Sequence, residues 1–259
     1  MPVNEERGYE MGKNAIEDKV AVTIVAHPDD AEFACGGTVA KWAREGWRVV
    51  YIICTDGSGG GPEAGSLSRE ARAQVRQQVV KTREEEQRRA GDLLGVAEVI
   101  FLGHPDGQLQ VTEEIQRQLV RLLRIYRPQR VIIPSPTFSW KHPLWVAHPD
   151  HLATGEAALR AIYPAAQNPW AFPSLENEGL HPHKVSEIYV MFAPESNHAV
   201  DISETFAAKE AALRAHKSQF GEEATEMIAL MHEWDGTCGK RHGVRFAEEY
   251  FVIQNTLAG

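Results

Sequence analysis

Cysteine is scarce in this sequence, and long apolar runs are missing from it. The three cysteines of the 259 residues lie far apart and form no C-x-x-C pair. This spacing argues against a disulfide framework and favours a reducing compartment, so we expect a cytoplasmic protein. The longest apolar stretches, such as residues 20–26, are much shorter than the roughly 20 residues of a membrane-spanning helix, and we expect no membrane span. Residues 1–18 mix acids and bases without an apolar run, which predicts an N-terminal extension and not a signal peptide.

A basic segment is also missing. The chain has 27 Lys and Arg against 36 Asp and Glu, a formal net charge of −9. Proteins that hold nucleic acids do so largely through cationic contacts to phosphates, so this balance argues against a nucleic-acid partner. A small, neutral or polar molecule is the more suitable substrate.

Short apolar runs alternate with segments of helical periodicity along the chain. The runs 20–26, 48–55, 98–102, 130–134 and 186–192 predict strands, and the segments 36–45, 69–94, 113–126, 152–162 and 204–218 predict helices. Such alternation is typical of a mostly parallel sheet between two helical layers. We predict one α/β domain over residues 1–259, a Rossmann-like three-layer α/β/α sandwich whose ligands bind where strands end.

The strongest local motif is His27-Pro28-Asp29-Asp30, at the end of the first predicted strand. Proline ends the strand, which places His27 and Asp30 at a corner where both side chains can converge. A histidine and a carboxylate are two of the three protein ligands expected of a catalytic zinc ion.

A second corner, His148-Pro149-Asp150-His151, precedes a predicted helix and could supply the third ligand. The His-Pro dipeptide occurs five times in the chain, so it means little alone. The two corners differ from the other three because each has a further ligand type three residues on, Asp30 or His151. The alternative is that the aspartates only cap helices and the histidines are ordinary turn residues.

At these residues the sequence resembles the LmbE-like or PIG-L-like zinc deacetylases, which share a His-Pro-Asp-Asp and a later His-Pro-Asp-His motif. Weaker matching pieces, in family order, are Thr55-Asp56-Gly57, Arg83-Glu84-Glu85-Glu86, Leu102-Gly103-His104-Pro105-Asp106-Gly107 and His216-Lys217-Ser218-Gln219. The resemblance implies a metal-dependent hydrolase that removes an N-acyl group, usually acetyl, from an amino sugar or its glycoside. It also implies a small-molecule partner and a homo-oligomer.

The resemblance also assigns roles that spacing alone does not decide. It implies that His27, Asp30 and His151 bind Zn²⁺, although such ligands also accept Fe²⁺, Co²⁺ or Mn²⁺. It makes Asp29 the general base and His148 the oxyanion stabiliser or general acid, with Asp150 orienting the His148 ring. We expect an imidazolium at His148, favoured by Asp150. Arg83 and Asp106 match substrate-binding positions.

Several other segments have competing interpretations. The glycines of 57–61 lack the spacing of a nucleotide-binding loop, so we expect a flexible rim to the site. The aromatic residues of the 136–147 loop either stack on substrate or pack the loop down. Residues 234–243 are either a lid or a surface turn. They also hold Cys238 and His242, which are candidate ligands by residue type only and are not part of the predicted site.

Two rival functions remain open at this point. The same metal centre could cleave a larger amide, such as a thiol–sugar conjugate, or a phosphoester. The chain could instead be a non-catalytic sugar- or metal-binding protein, but such a protein would not need the base at Asp29.

Overall fold

A computed structural model describes residues 19–62, 67–222 and 224–256, and the N-terminal extension predicted for 1–18 lies outside them. The described chain contains a sheet of seven strands in the order β3-β2-β1-β4-β5-β7-β6. The strands are β1 (Val20–Val25), β2 (Arg48–Thr55), β3 (Glu98–His104), β4 (Arg130–Pro134), β5 (Glu187–Met191), β6 (His198–Asp201) and β7 (Ala247–Gln254). The first five pair in parallel, and β7 pairs antiparallel with both β5 and β6.

Helices cover both faces of the sheet. They are α1 (Asp30–Arg44), α2 (Arg69–Leu94), α3 (Glu113–Tyr126), α4 (Pro149–Arg160), α5 (Pro173–Asn177), α6 (Phe206–Leu213), α7 (Lys217–Phe220) and α8 (Thr225–His242). One buried apolar cluster joins the sheet to α1, α2, α6 and α8, and a second joins its other face to α3 and α4. This arrangement confirms the predicted three-layer α/β fold. No described helix has both the length and the apolar character needed to cross a bilayer.

The order of the strands reverses at β1, which lies between β2 and β4. Chain segments leaving β1 and β4 therefore diverge to opposite faces and leave a crevice at the carboxyl edge of the sheet. The His27 corner follows β1, and the chain after β4 leads to the His148 corner.

The carboxyl-terminal third differs from the prediction. The segment predicted as one helix, 204–218, is divided into α6 and α7, and residues 234–242 belong to the long helix α8. They therefore do not form a surface turn. Strands β6 and β7 had not been predicted.

Candidate metal centre

The first corner brings three acidic or imidazole side chains to the end of β1. His27 is 8% exposed and its backbone N–H donates to Asp30 Oδ2 at 2.8 Å. Asp29 is the N-cap residue of α1 and has a φ of 90°, a left-handed conformation that non-glycine residues rarely adopt. This backbone turn directs Asp29 and Asp30 differently although they are neighbours in sequence.

The second corner reaches the first because α4 packs very close to the end of β4. A Cβ atom at Gly155 would lie 2.4 Å from the backbone oxygen of Pro134, so only glycine allows this approach. His148 is the N-cap residue of α4, and His151 lies in its first turn. The close packing therefore holds both histidines over the end of β1.

His27, Asp30 and His151 meet at one point. His27 Nδ1 lies 3.2 Å from His151 Nε2 and 3.4 Å from Asp30 Oδ2, and His151 Nε2 lies 3.1 Å from Asp30 Oδ1. Tetrahedral ligands at the usual zinc distances of about 2.0–2.1 Å are spaced roughly 3.3–3.4 Å apart. The two ring nitrogens are spaced as ligands of a single ion, and the Asp30 carboxylate faces each ring with a different oxygen.

The remaining ring nitrogens of the two histidines have partners that orient them. His27 Nε2 lies 3.1 Å from Asp106 Oδ1 and 3.2 Å from Asp150 Oδ2, while His151 Nδ1 lies 3.0 Å from the carbonyl oxygen of Val146. Metal-binding histidines usually donate their second N–H to a carboxylate or carbonyl in this way. His27 Nδ1 and His151 Nε2 are consequently left free to bind an ion.

The charges of the site favour a cation. Burial opposes charge on His27, but hydrogen bonds to Asp106, Asp150 and Asp30 outweigh it and raise its pKa to about 12. Burial likewise opposes ionisation of Asp106, but the hydrogen bond from His27 and its charge lower the Asp106 pKa to about 2. For Asp30, burial is outweighed by the charge and hydrogen bond of His151, and its pKa lies well below the usual range. A bound divalent cation would compensate these carboxylates with both imidazoles neutral.

Other candidate metal groupings also centre on His27. Within the described ranges, His27, His148 and His151 can each offer a ring nitrogen within 4.8 Å of the others, as can His27, Asp106 and Asp150 with one donor atom each. The contacts among His27, Asp30 and His151 are shorter than this limit but use a different Asp30 oxygen for each histidine, and the predicted ligand set remains the one we propose.

Asp29 is held by two buried side chains of α2. Arg83 Nη2 donates to Asp29 Oδ2 at 3.0 Å, and the Asp29 backbone N–H donates to Gln87 Oε1 at 2.8 Å. Burial raises the pKa of Asp29 to about 6, against the opposing charge of Arg83. A carboxyl group with a pKa near the working pH can both accept and release a proton, as a general base must.

His148 differs from the sequence expectation. Its Nδ1 accepts a hydrogen bond of 3.2 Å from the backbone N–H of Asp150, so in this arrangement the ring carries its proton on Nε2. Burial lowers the pKa of His148, and the charges of His27 and His151 lower it further. These contacts favour a neutral imidazole over the expected imidazolium, and its Nε2–H can donate to an oxyanion.

Asp150 orients His148 through its backbone and not through its carboxylate. The fully buried carboxylate contacts His27 and accepts from the backbone N–H groups of Gly107 and Leu109 at 2.7 and 3.1 Å. The family resemblance had implied a carboxylate–imidazole pair within the second corner. The hydrogen bonds instead connect the second corner to the first.

Arg83 is 4% exposed, and its contacts lie within the protein. Its guanidinium donates to the carbonyl oxygens of Gly57 and Pro28 at 2.6 and 2.8 Å, besides Asp29. Arg83 therefore acts on Asp29 and the first corner, whereas contact with substrate remains a prediction. For Asp106, whose second oxygen accepts from the Gly59 N–H at 2.8 Å, substrate binding also remains a prediction.

Sequence analysis missed a buried chain of polar contacts behind Asp29. Gln87 Nε2 donates to Glu32 Oε1 at 2.9 Å, and Glu32 Oε2 lies 3.2 Å from His216 Nε2. Gln87 and His216 adjoin or belong to weaker matching motifs and had no role assigned to them, and Glu32 closely follows the first corner. Their signal in the sequence was position, because Gln87 directly follows the Arg83 motif and His216 begins the last matching motif.

Two candidates by residue type lie outside the site. The Cys238 thiol accepts from Arg241 at 3.2 Å, and His242 lies 2.7 Å from Glu249. Both contacts are at the carboxyl end of α8. They give no support to a role in metal binding.

Comparisons with known proteins agree with this geometry. Residues 22–162 match the model of the PIG-L family, described as GlcNAc-PI de-N-acetylase. The chain is 31% identical to the diacetylchitobiose deacetylase of Thermococcus kodakarensis, over 89% of this chain and 81% of that protein. The chain belongs to the PIG-L family.

Further relatives extend the match. The structure of N,N'-diacetylchitobiose deacetylase from Pyrococcus horikoshii aligns with a TM-score of 0.81 and 28% identity, covering 92% of this chain and 85% of the other. The 1D-myo-inositol 2-acetamido-2-deoxy-alpha-D-glucopyranoside deacetylase of Nocardia farcinica is 26% identical over 76% of this chain and 78% of its own length.

Proposed function

We propose that this protein is a metal-dependent hydrolase that removes the N-acetyl group of an amino sugar or its glycoside. The observation that carries the proposal is the convergence of His27, Asp30 and His151 donors at 3.1–3.4 Å beside the partly buried carboxylate of Asp29. The family and its relatives supply the substrate class, because the relatives are named for deacetylation of N-acetylglucosamine-type compounds.

His27, Asp30 and His151 would hold the metal, which we propose to be zinc because two imidazoles and a carboxylate suit it. Fe²⁺, Co²⁺ and Mn²⁺ are accepted by the same ligand types. A bound divalent ion would supply Lewis-acid polarisation of the acyl carbonyl and a lowered pKa of the attacking water.

Asp29 acts as the general base. Its carboxylate accepts a proton from the attacking water, the water oxygen bonds to the carbonyl carbon, and the carbon–nitrogen bond then breaks. The leaving nitrogen takes the proton that Asp29 accepted, and the products are acetate and the free amine. Arg83 and Gln87 keep Asp29 in its strained left-handed conformation during these steps.

His148 stabilises the oxyanion by donating from Nε2, because its Nδ1 is already an acceptor for the Asp150 N–H. The Asp150 and Asp106 carboxylates keep Nε2 of His27 occupied, so His27 would present Nδ1 to the metal.

The cytoplasmic location proposed from the sequence is supported by the free, buried thiols of Cys35, Cys54 and Cys238.

Two variants separate catalysis from metal binding. Asp29→Asn keeps the three ligands, so we expect normal metal content by elemental analysis and a loss of acetate release of roughly 10²–10⁴-fold. His151→Ala removes a ligand, so both metal content and acetate release should fall. His104→Ala is the matched control, because this histidine contacts Gln118 and lies in a His-Pro pair outside the two corners. A fully active Asp29→Asn enzyme would contradict the assignment of the base.

A further inference from the structure

A cavity of about 270 Å³ opens directly on the candidate metal centre. Asp29, Asp30 and His151 form its polar end. The other eight lining residues are all apolar, among them Phe33, Trp145 and Phe192 from three different parts of the chain. The reacting carbonyl would therefore lie at the mouth of an apolar chamber.

The walls of this cavity are built by packed elements. Phe33 lies one turn beyond Asp30 on α1, and its ring packs edge-to-face against Trp145 at 4.7 Å between centroids. Phe192 follows β5 with a φ of 56°, and its ring lies 6.2 Å from that of Phe33. Met227 and Leu230 of α8, three residues apart on one helical face, complete the lining.

An acetyl group would fill only a small part of this space. A water molecule takes about 30 Å³ of liquid volume, and the methyl of an acetyl group is of similar size. Sugar hydroxyls would also be poorly accommodated, because the apolar walls offer no replacement for hydrogen bonds to water. The cavity suits an apolar group of several carbon atoms.

We propose that the substrate carries an apolar group larger than the acetyl methyl, and that this cavity binds it. Two chemical sources provide such a group, a longer acyl chain on the nitrogen or an apolar aglycone attached to the sugar. The inference rests on the proposed amide hydrolysis and specifies the substrate class for that reaction.

The test uses zinc-loaded enzyme and two substrate series. The first contains N-acetyl-, N-butanoyl- and N-hexanoyl-glucosamine, and the second contains N-acetylglucosamine and its octyl β-glycoside. Free-amine formation measures kcat/KM for each. A fully buried methylene contributes about fourfold, so kcat/KM should rise at least about tenfold in one series. A rise in the first series identifies the acyl chain as the occupant, and a rise in the second identifies the aglycone.

A pair of leucine variants locates the effect. Leu230 is 36% exposed at the cavity, and Leu93 is 48% exposed on α2, outside the cavity lining. Leu230→Asp should reduce the preference for the larger substrate several-fold, whereas Leu93→Asp should leave that preference unchanged. Equal preferences in the two variants would count against the cavity as the binding site.

The outcomes separate this inference from the proposed function. If every substrate is hydrolysed with similar kcat/KM, the apolar subsite is refuted and the deacetylase remains. If no substrate is hydrolysed with zinc, iron or cobalt, the proposed function fails. Calorimetric titration with N-hexanoyl-glucosamine, octyl N-acetylglucosaminide and N-acetylglucosamine then decides the inference by itself. Tighter binding of a larger ligand that Leu230→Asp abolishes supports the subsite, and equal affinities overturn it.

Discussion

Replacing Lys209 by methionine should strongly destabilise the protein. Lys209 lies on α6 and is completely buried, with its Nζ 2.7 Å from both Asp235 Oδ2 on α8 and Glu248 Oε1 on β7. Glu248 also accepts from the Gly37 and Thr38 N–H groups of α1, the helix that begins at the candidate metal centre. The lysine therefore pairs with two carboxylates at a junction of four elements.

The magnitude follows from what each carboxylate retains after the substitution. Glu248 keeps the two α1 donors and the Tyr250 hydroxyl, but Asp235 loses the cation it contacts. Removing one partner of a buried ion pair costs about 3–5 kcal/mol of the free energy of unfolding. At about 2–4 °C per kcal/mol for a chain of this size, Tm should fall by roughly 6–20 °C.

The loss should grow with pH. Burial already raises the pKa of Asp235 from 3.8 to about 6 despite Lys209, and without Lys209 this pKa must rise further. A carboxyl group whose folded pKa is raised loses stability as pH increases from its unfolded to its folded pKa, by about 1.4 kcal/mol per pH unit. In the native protein this loss is complete slightly above pH 6, whereas in Lys209→Met it continues towards pH 8. The ion pair raises the pKa of Lys209 itself, so its own charge is constant over this window.

Urea unfolding at pH 6 and pH 8 measures both effects. Lys217→Met is the matched control, because Lys217 forms an exposed ion pair with Glu222 and should cost less than about 1 kcal/mol. The double variant Lys209→Met/Asp235→Leu should recover much of the stability, since it removes the unpaired acid. A loss below about 1 kcal/mol in Lys209→Met at both pH values, or a loss that shrinks at pH 8, would refute the reasoning.

Two further predictions concern the positioning of the site. Gly155→Ala should destabilise the protein by about 1–3 kcal/mol in thermal unfolding, because the new Cβ would lie 2.4 Å from the backbone oxygen of Pro134. Gly236→Ala is the control. Its Cβ would have its nearest neighbour at 3.7 Å, so this substitution should stabilise α8 by up to about 1 kcal/mol. Equal shifts would argue against close packing of α4. Gln87→Leu should lower kcat at least about tenfold with metal content unchanged, because the Asp29 N–H loses its acceptor. Loss of metal in parallel would show a merely structural role.

Local sequence signals were sufficient to predict the bounds of helices and strands whose own flanking residues end them. The prediction of 69–94 as a helix agrees with α2 residue for residue, because Ser68 caps its first turn and Gly95 ends it with a φ of 80°. Strands β2 and β4 also begin and end as predicted, since both are apolar runs bounded by polar or turn residues. The two His-Pro-Asp corners were recognisable for the same reason.

Tertiary contacts determined the secondary structure of segments whose composition alone is ambiguous. The glycines of residues 234–242 suggest a turn, yet Gly239 lies within α8, where a Cβ would meet the Arg245 carbonyl oxygen at 2.6 Å. Glycine at this position therefore allows α8 to pack closely on the chain segment that follows it. Strand β7 depends on antiparallel pairing with β5 and β6, which local periodicity does not specify.

The sequence by itself determined which residue types occupy the ends of β1 and β4, and therefore which kind of chemistry the crevice can hold. Only the tertiary structure decided how those side chains pair. It directed the Asp150 carboxylate to His27, the Asp150 backbone N–H to His148 Nδ1, and Arg83 to Asp29. Spacing along a chain limits what can converge, but hydrogen-bond direction and burial depend on elements more than 50 residues away.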